Sequence, residues 1–313
     1  MCLAPIMIDN LNRGCTDPII SRLKDTVSHK IPIPCGHCPS CLALKQNYIV
    51  QRWQCESLDN DLWTGMLSYN NKYLPRYVVN GYPHSFADSR DVQLLCRRLR
   101  SDNVLGMPFR YWFVSERGSD YHRPHWHFMF STPKVPGSTL ADLLTREKHY
   151  HGEILKRWVY NKGSDKYPDY ECLLTYYSRN GRRNYDFHYL DPSLTLFGSD
   201  DVAFYNSKYL LKDDDYTGRL KSALYFNTSE AAFPHIWRFL KHKYHSSHYL
   251  GDVNNPVVHQ YIDFCINFSF DNGLPFPCFV NPNTGQTFPL SPYLKKRFCT
   301  VDTLLSFRDL QDL

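Results

Sequence analysis

The sequence predicts an α+β fold: a central antiparallel sheet flanked by helices, with a cysteine-rich N-terminal arm. Three observations lead there. Apolar runs alternate with helical periodicity in the order strand, helix, strand, turn, strand, then helices, which suits an antiparallel sheet better than a βαβ winding. Two of those strands are separated only by a short turn containing Gly118 and Asp120. Hydrophobic residues make up 42% and charged residues 21%, so the chain can bury a core.

Residues 1–38 are rich in Pro, Gly and Cys and read as an irregular arm. A helix is predicted over 39–58, with Leu42, Tyr48 or Ile49, and Trp53 along one stripe. Residues 62–69 read as a buried strand stopped by Asn70-Asn71. Asp88 or Ser89 can cap a helix running to about Arg100, with Val92, Leu95, Cys96 and Leu99 at three- and four-residue spacing. Strands follow at 109–114 and 124–131, then helices over 138–146 and 149–160. A polar, Tyr-rich stretch with a strand at 171–177 precedes helices at 200–213 and 228–245, and residues 246–290 read as short strands and loops. The division is therefore an arm and helix at 1–60, a central domain at 61–250 and a C-terminal extension at 251–313.

Composition narrows the function. The chain has 23 Tyr, 19 Phe and 6 Trp beside 36 Lys and Arg, and its net charge of +5 is modest. Basic residues gather at Arg97-Arg98-Leu99-Arg100, at Arg179 with Arg182 and Arg183, from Arg238 to Lys243, and at Lys295-Lys296-Arg297. Cations interleaved with rings suit single-stranded nucleic acid, where charges follow phosphates and rings stack on bases. No window holds about 18 consecutive apolar residues, and no secretory leader is evident, so a soluble intracellular protein without a membrane role is expected.

Eleven cysteines, an odd number at uneven spacing, point to a reducing compartment. Cys35, Cys38 and Cys41 stand apart from the scattered remainder, because thiolates at this spacing can converge on one soft metal ion, zinc first and an iron–sulfur cluster second. Cys2, Cys15, His37 or Cys55 could supply a fourth ligand.

The sharpest chemical signal is Arg123-Pro124-His125-Trp126-His127-Phe128-Met129-Phe130. Alternate strand residues share a face, so His125 and His127 point together while Trp126, Phe128 and Phe130 point into a core. Two neutral imidazoles on one face suit a divalent metal. Glu116, at the end of the preceding strand, is the candidate third ligand, with His122 as its competitor. A second signal is Tyr205-Asn206-Ser207-Lys208-Tyr209-Leu210-Leu211-Lys212. On a helix, a four-residue step rotates about 400° and rises about 6 Å, so Tyr205 and Tyr209 stack, with Lys208 and Lys212 on an adjoining face. A phenol attacks phosphorus only when its anion is stabilised, and those ammonium groups could do that.

In order along the chain, Met1-Cys2-Leu3, Pro34-Cys35-Gly36-His37-Cys38-Pro39-Ser40-Cys41, Gly65-Met66-Leu67-Ser68-Tyr69, Arg90-Asp91-Val92-Gln93-Leu94-Leu95, Ser115-Glu116-Arg117-Gly118, the histidine strand and the tyrosine segment resemble the replication initiation proteins of the microviruses, small circular single-stranded DNA phages, within the HUH endonucleases. The resemblance covers roughly residues 2–250. It implies rolling-circle replication in the cytoplasm of a bacterial host: nicking of origin DNA, attachment of the 5′ end as a phosphotyrosine, and rejoining of a unit-length circle. It implies Mg²⁺ or Mn²⁺ on His125 and His127, with Glu116 as third ligand, and Tyr205 and Tyr209 as nucleophiles assisted by Lys208 and Lys212. Cys2 joins Cys35, Cys38 and Cys41 as the candidate structural zinc set. Where the family carries a Thr-Leu-Thr core this chain has Met66-Leu67-Ser68, so a hydroxyl role there falls to Ser68 alone. Partners would be single-stranded and origin DNA, with a host helicase and polymerase, since no Walker motif is present. Two rival readings are a single-tyrosine HUH transposase or plasmid initiator, and a non-catalytic zinc-containing nucleic-acid-binding protein.

Overall fold

The structure, a computed structural model, describes residues 5–17, 24–35, 38–118, 122–164, 166–174, 185–190, 215–252, 254–282 and 284–309. The expected helix at 200–213 lies outside the described residues, as do positions 175–177 of the expected strand at 171–177.

The N-terminal arm is not wholly irregular. Strands β1 (Ile6–Asp9) and β2 (Lys30–Ile33) form an antiparallel hairpin in which Ile6 pairs with Ile33. Its connection is closed locally: the Asn10 amide donates to the carbonyls of Asp25 and Ser28 at 2.8 and 3.0 Å. Helix α1 (Pro39–Ser57) follows, then β3 (Asn60–Leu67). A second hairpin, β4 (Arg76–Val79) and β5 (Tyr82–Ser85), turns at Asn80-Gly81, both at positive φ (49° and 83°). That is the backbone a two-residue hairpin turn demands and the reason for its Asn-Gly sequence.

Helix α2 (Ser89–Ser101) starts where Asp88 accepts from the Arg90 backbone N–H at 2.9 Å, and it buries Val92, Leu95, Cys96 and Leu99, as the spacing predicts. Strands β6 (Arg110–Arg117) and β7 (Pro124–Pro133) follow. The two helices expected at 138–146 and 149–160 are one, α3 (Leu140–Arg157), opened by a capping box between Thr139 and Asp142. Glu147 and Lys148, at the expected break, are good helix formers. The about 1 kcal/mol cost of Gly152 is outweighed by burial of Tyr150, Ile154 and Leu155. Short strands β8 (Val159–Asn161) and β9 (Tyr170–Cys172) pair with each other, and β10 (Tyr185–Leu190) follows.

After α4 (Asp215–Asn227), the helix expected over 228–245 is shorter: α5 (Ala232–Leu240) stops, and the chain becomes strand β11 (Tyr244–Ser246). The edge of β6 draws it in. The Ser115 hydroxyl accepts from Lys243 N–H at 2.8 Å, the His242 ring sits 2.9 Å from the Ser115 carbonyl, and Tyr244 pairs with Val114. The loops expected over 246–290 are overturned by a 16-residue helix, α6 (Pro256–Asp271). Asn255 caps it, Pro256 opens it, and Val258, Ile262, Cys265 and Ile266 form its buried face. The hairpin β12 (Cys278–Val280) and β13 (Thr287–Pro289), then α7 (Pro292–Phe298) and α8 (Val301–Asp309), complete the described chain.

Contacts divide the chain into two units, Asp59–Leu250 and Met1–Leu58 with Gly251–Leu313. The first is built on a five-stranded antiparallel sheet in the order β10-β3-β7-β6-β11, so the histidine strand β7 is its middle. One face of that sheet is aromatic. Trp63, Phe113, Trp126 and Phe128 are at most 1% exposed and pack with Leu95 and Leu99 of α2 and Ile154 of α3. Much of the high aromatic content is thus core. In the second unit, Cys55 of α1 packs with Val258 and Ile262 of α6, Phe279 of β12, Leu294 of α7 and Phe307 of α8. No described helix is long and apolar enough to cross a membrane.

Candidate metal centre

The pairing of β6 with β7 brings three donors together. Glu116 is directly opposite His125, and Val114 is opposite His127, so the carboxylate and both imidazoles share one face of the sheet. Trp126 and Phe128 alternate to the other face, where the aromatic core holds them. The strand is therefore fixed by packing on one side and presents its donors on the other.

The donors form a tight triangle. Glu116 Oε2 lies 2.9 Å from His127 Nε2 and 3.3 Å from His125 Nε2, and the two Nε2 atoms are 3.1 Å apart. For metal–ligand bonds of about 2.1 Å, neighbouring donors lie about 3.0 Å apart on an octahedron and about 3.4 Å apart on a tetrahedron. All three edges fall in or beside that range. The side chains are exposed by only 10% (Glu116), 14% (His125) and 13% (His127), and a carboxylate this buried needs a compensating positive charge. A carboxylate with two imidazoles fits a divalent metal and leaves coordination positions open. The His125 Nδ1 atom lies 3.2 Å from the Arg123 carbonyl, which fixes the ring with Nε2 toward the triangle.

The strand end is anchored by contacts that the sequence reading did not anticipate. Arg123 donates to the Tyr69 carbonyl and to the Asn71 side chain, and Trp126 Nε1 donates to the Tyr69 hydroxyl at 3.0 Å. Arg117, paired opposite Pro124, donates to the Leu240 carbonyl at 3.2 Å. In the sequence these residues figure only as members of the histidine-strand, Gly65–Tyr69 and Ser115–Gly118 motifs and of the Asn70-Asn71 stop. Their partners are 52 to 123 positions away and cannot be read locally.

Among the other expected residues, His122 is not a member of the donor group. Ser68 is buried, and its carbonyl accepts from the Trp158 indole at 2.9 Å. Tyr205, Lys208, Tyr209, Lys212 and Cys2 lie outside the described residues. Cys35, Cys38 and Cys41 do converge, their sulfurs within 4.8 Å of one another, which is also compatible with a metal. Part of the basic signal is structural: Arg98 donates to the carbonyls of Arg157 and Val159, and Arg100 stacks over Phe109 and Tyr111. Lys243 donates to the Ala87 carbonyl at 3.0 Å, and burial pulls its ammonium down to about 8. Searches against family models, curated proteins and solved structures find no match to this chain.

Proposed function

We propose that this chain is a metal-dependent DNA strand transferase of the HUH class, acting as a rolling-circle replication initiator on single-stranded and origin DNA. The observation that carries the reading is the triangle of Glu116, His125 and His127 on the middle of an antiparallel sheet. These three residues would hold Mg²⁺ or Mn²⁺. When bound, the ion supplies Lewis-acid polarisation of a phosphodiester oxygen.

The chain's own residues then perform the transfer. The phenol oxygen of Tyr205 or Tyr209 attacks phosphorus, the bond to the 3′ oxygen breaks, and the phenol's proton leaves through base or solvent as the 3′-hydroxyl is formed. The 5′ phosphate stays on the chain as a phosphotyrosine, so the bond energy is retained and a later 3′-hydroxyl can reverse the step. Lys208 and Lys212 would stabilise the phenolate and the charge building on phosphorus. The second tyrosine permits a second transfer before the first DNA end is released. With no Walker motif in the chain, strand separation falls to a host helicase and synthesis to a host polymerase.

The test is incubation with single-stranded origin DNA and Mn²⁺, followed by denaturing electrophoresis. An adduct that survives SDS is expected, absent in His127→Ala. Tyr205→Phe and Tyr209→Phe should each keep part of it, and the double variant none. If one substitution abolishes every transfer and the other is silent, the chain is a single-tyrosine enzyme. The convergence of Cys35, Cys38 and Cys41 favours the second reading, a zinc-containing nucleic-acid-binding protein. A tight complex that SDS always dissolves would establish that reading instead.

A further inference from the structure

The cysteine trio takes no part in strand transfer, yet it is built. Strand β2 ends at Ile33, Cys35 follows two residues later, Cys38 is the N-cap of α1, and Cys41 lies in the first turn. Cys35 Sγ and Cys41 Sγ are 4.0 Å apart. That is about twice a disulfide bond and close to the roughly 3.8 Å edge of four thiolates arranged around zinc at about 2.3 Å. The Cys38 backbone N–H donates to Cys35 Sγ at 3.3 Å.

Two further observations bear on this site. Helix α1 has no side-chain cap and no acidic residue in its first turn, so the positive end of a 19-residue helix faces the sulfurs. The β1–β2 hairpin beside it lacks a core: every β1 residue is exposed, Ile6 by 48% and Met7 by 52%. A hairpin of four-residue strands is at best marginal on its own and needs a cross-link.

The fourth ligand can be narrowed. Cys55 is fourteen positions after Cys41 on the same helix, about 21 Å away at 1.5 Å per residue, and is packed among Val258 and Ile262. Cys15 is not in the described donor group.

We propose that Cys35, Cys38 and Cys41 are three thiolate ligands of a structural Zn²⁺ ion that fastens the β1–β2 hairpin to the N-terminus of α1, with the remaining position taken by a donor outside the trio. Three thiols lose their protons to solvent, three S–Zn bonds form, and no electron is transferred. The site stands whether or not the strand-transfer reading does, and its test reads no DNA chemistry.

The experiment uses the full chain carrying His127→Ala, so that the other donor group does not hold zinc. One zinc per chain should survive dialysis and be released on titration with an organomercurial. Cys38→Ser and Cys41→Ser should each lower retained zinc at least tenfold, and release should speed proteolytic cutting between residues 10 and 30. Should Cys38→Ser fail to fold, Co²⁺ added to zinc-stripped chain gives the answer, through the intense visible bands of a tetrahedral thiolate site. A metal-free chain whose three thiols react like exposed cysteine, or one purified with iron and sulfide, overturns the proposal.

Discussion

Trp126, the residue between the two histidines, donates its indole N–H to the hydroxyl of Tyr69 at 3.0 Å. The same oxygen accepts from the Asp88 backbone at 3.2 Å and interacts with the Asp91 carboxyl. One phenol thus ties the histidine strand to the start of α2. Burial holds that phenol protonated, well above the ordinary tyrosine range. Tyr69→Phe would strand the buried Trp126 indole N–H and take a partner from the half-buried Asp88 N–H, at a cost of about 1–3 kcal/mol. Urea denaturation should show that loss, together with weaker Mn²⁺ binding, while Tyr77→Phe on the β4 hairpin should leave Mn²⁺ affinity unchanged.

Removing a donor from the triangle has a direct readout. Glu116→Gln keeps the shape of the carboxylate and removes its charge, and His127→Ala removes the ring that is closest to it, at 2.9 Å. Each should weaken Mn²⁺ binding by more than about tenfold in calorimetry, since outer-shell changes alone commonly reach that size. Unaltered Mn²⁺ affinity in both variants would show that the three side chains are a hydrogen-bonded cluster and nothing more.

Asp91 gives the fold a pH dependence of predictable sign. Burial, then the neighbouring Asp88 charge, pushes its carboxyl up to about 6. An unfolded aspartate titrates near 3.9, so between about pH 4 and 6 the folded chain holds a proton that the unfolded chain has released. Stability therefore falls as pH rises through that window, by an amount on the order of 2–3 kcal/mol for this group. Asp91→Asn should flatten the curve there and gain relative stability at pH 7. Denaturation midpoints measured from pH 4 to 7 check it; parallel curves for both proteins would refute it.

What the sequence revealed follows the range of the interactions. The alternation His125-Trp126-His127-Phe128 is a local pattern, and the sheet obeys it: imidazoles on one face, rings in the core. Helix α2 was legible for the same reason, from its cap at Asp88 and a strong apolar stripe. Helix α6 was not, because the Asn, Pro and Phe around it look like loop composition, although Asn255-Pro256 is a cap followed by a first-turn proline. Strand β11 is three residues long and exists because Ser115 and β6 supply partners about 130 positions away. The strand order β10-β3-β7-β6-β11 depends on such distant pairings throughout, and no local signal encodes it.

The C-terminal segment, to which the sequence assigned no chemistry, has a structural role that two glycines can expose. Gly251 and Gly273 share nearly the same backbone, φ 64° and 63°, which an L side chain adopts at a cost of about 1–2 kcal/mol. Their surroundings differ. A Cβ on Gly273 would meet open space, whereas one on Gly251 would lie 2.6 Å from the Arg52 carbonyl of α1. The Gly251 N–H also donates to Glu56 at 2.8 Å, so the backbone cannot retreat without losing a buried bond. Gly273→Ala should therefore cost only the conformational penalty. Gly251→Ala should cost that plus the clash, and loosen α1 from the cluster of Val258, Ile262 and Phe279. Cys55 reports on the difference, because burial now holds its thiol protonated and inaccessible. A thiol reagent should modify Cys55 faster in Gly251→Ala than in Gly273→Ala, and equal rates would mean that the close approach of residues 52 and 251 contributes nothing.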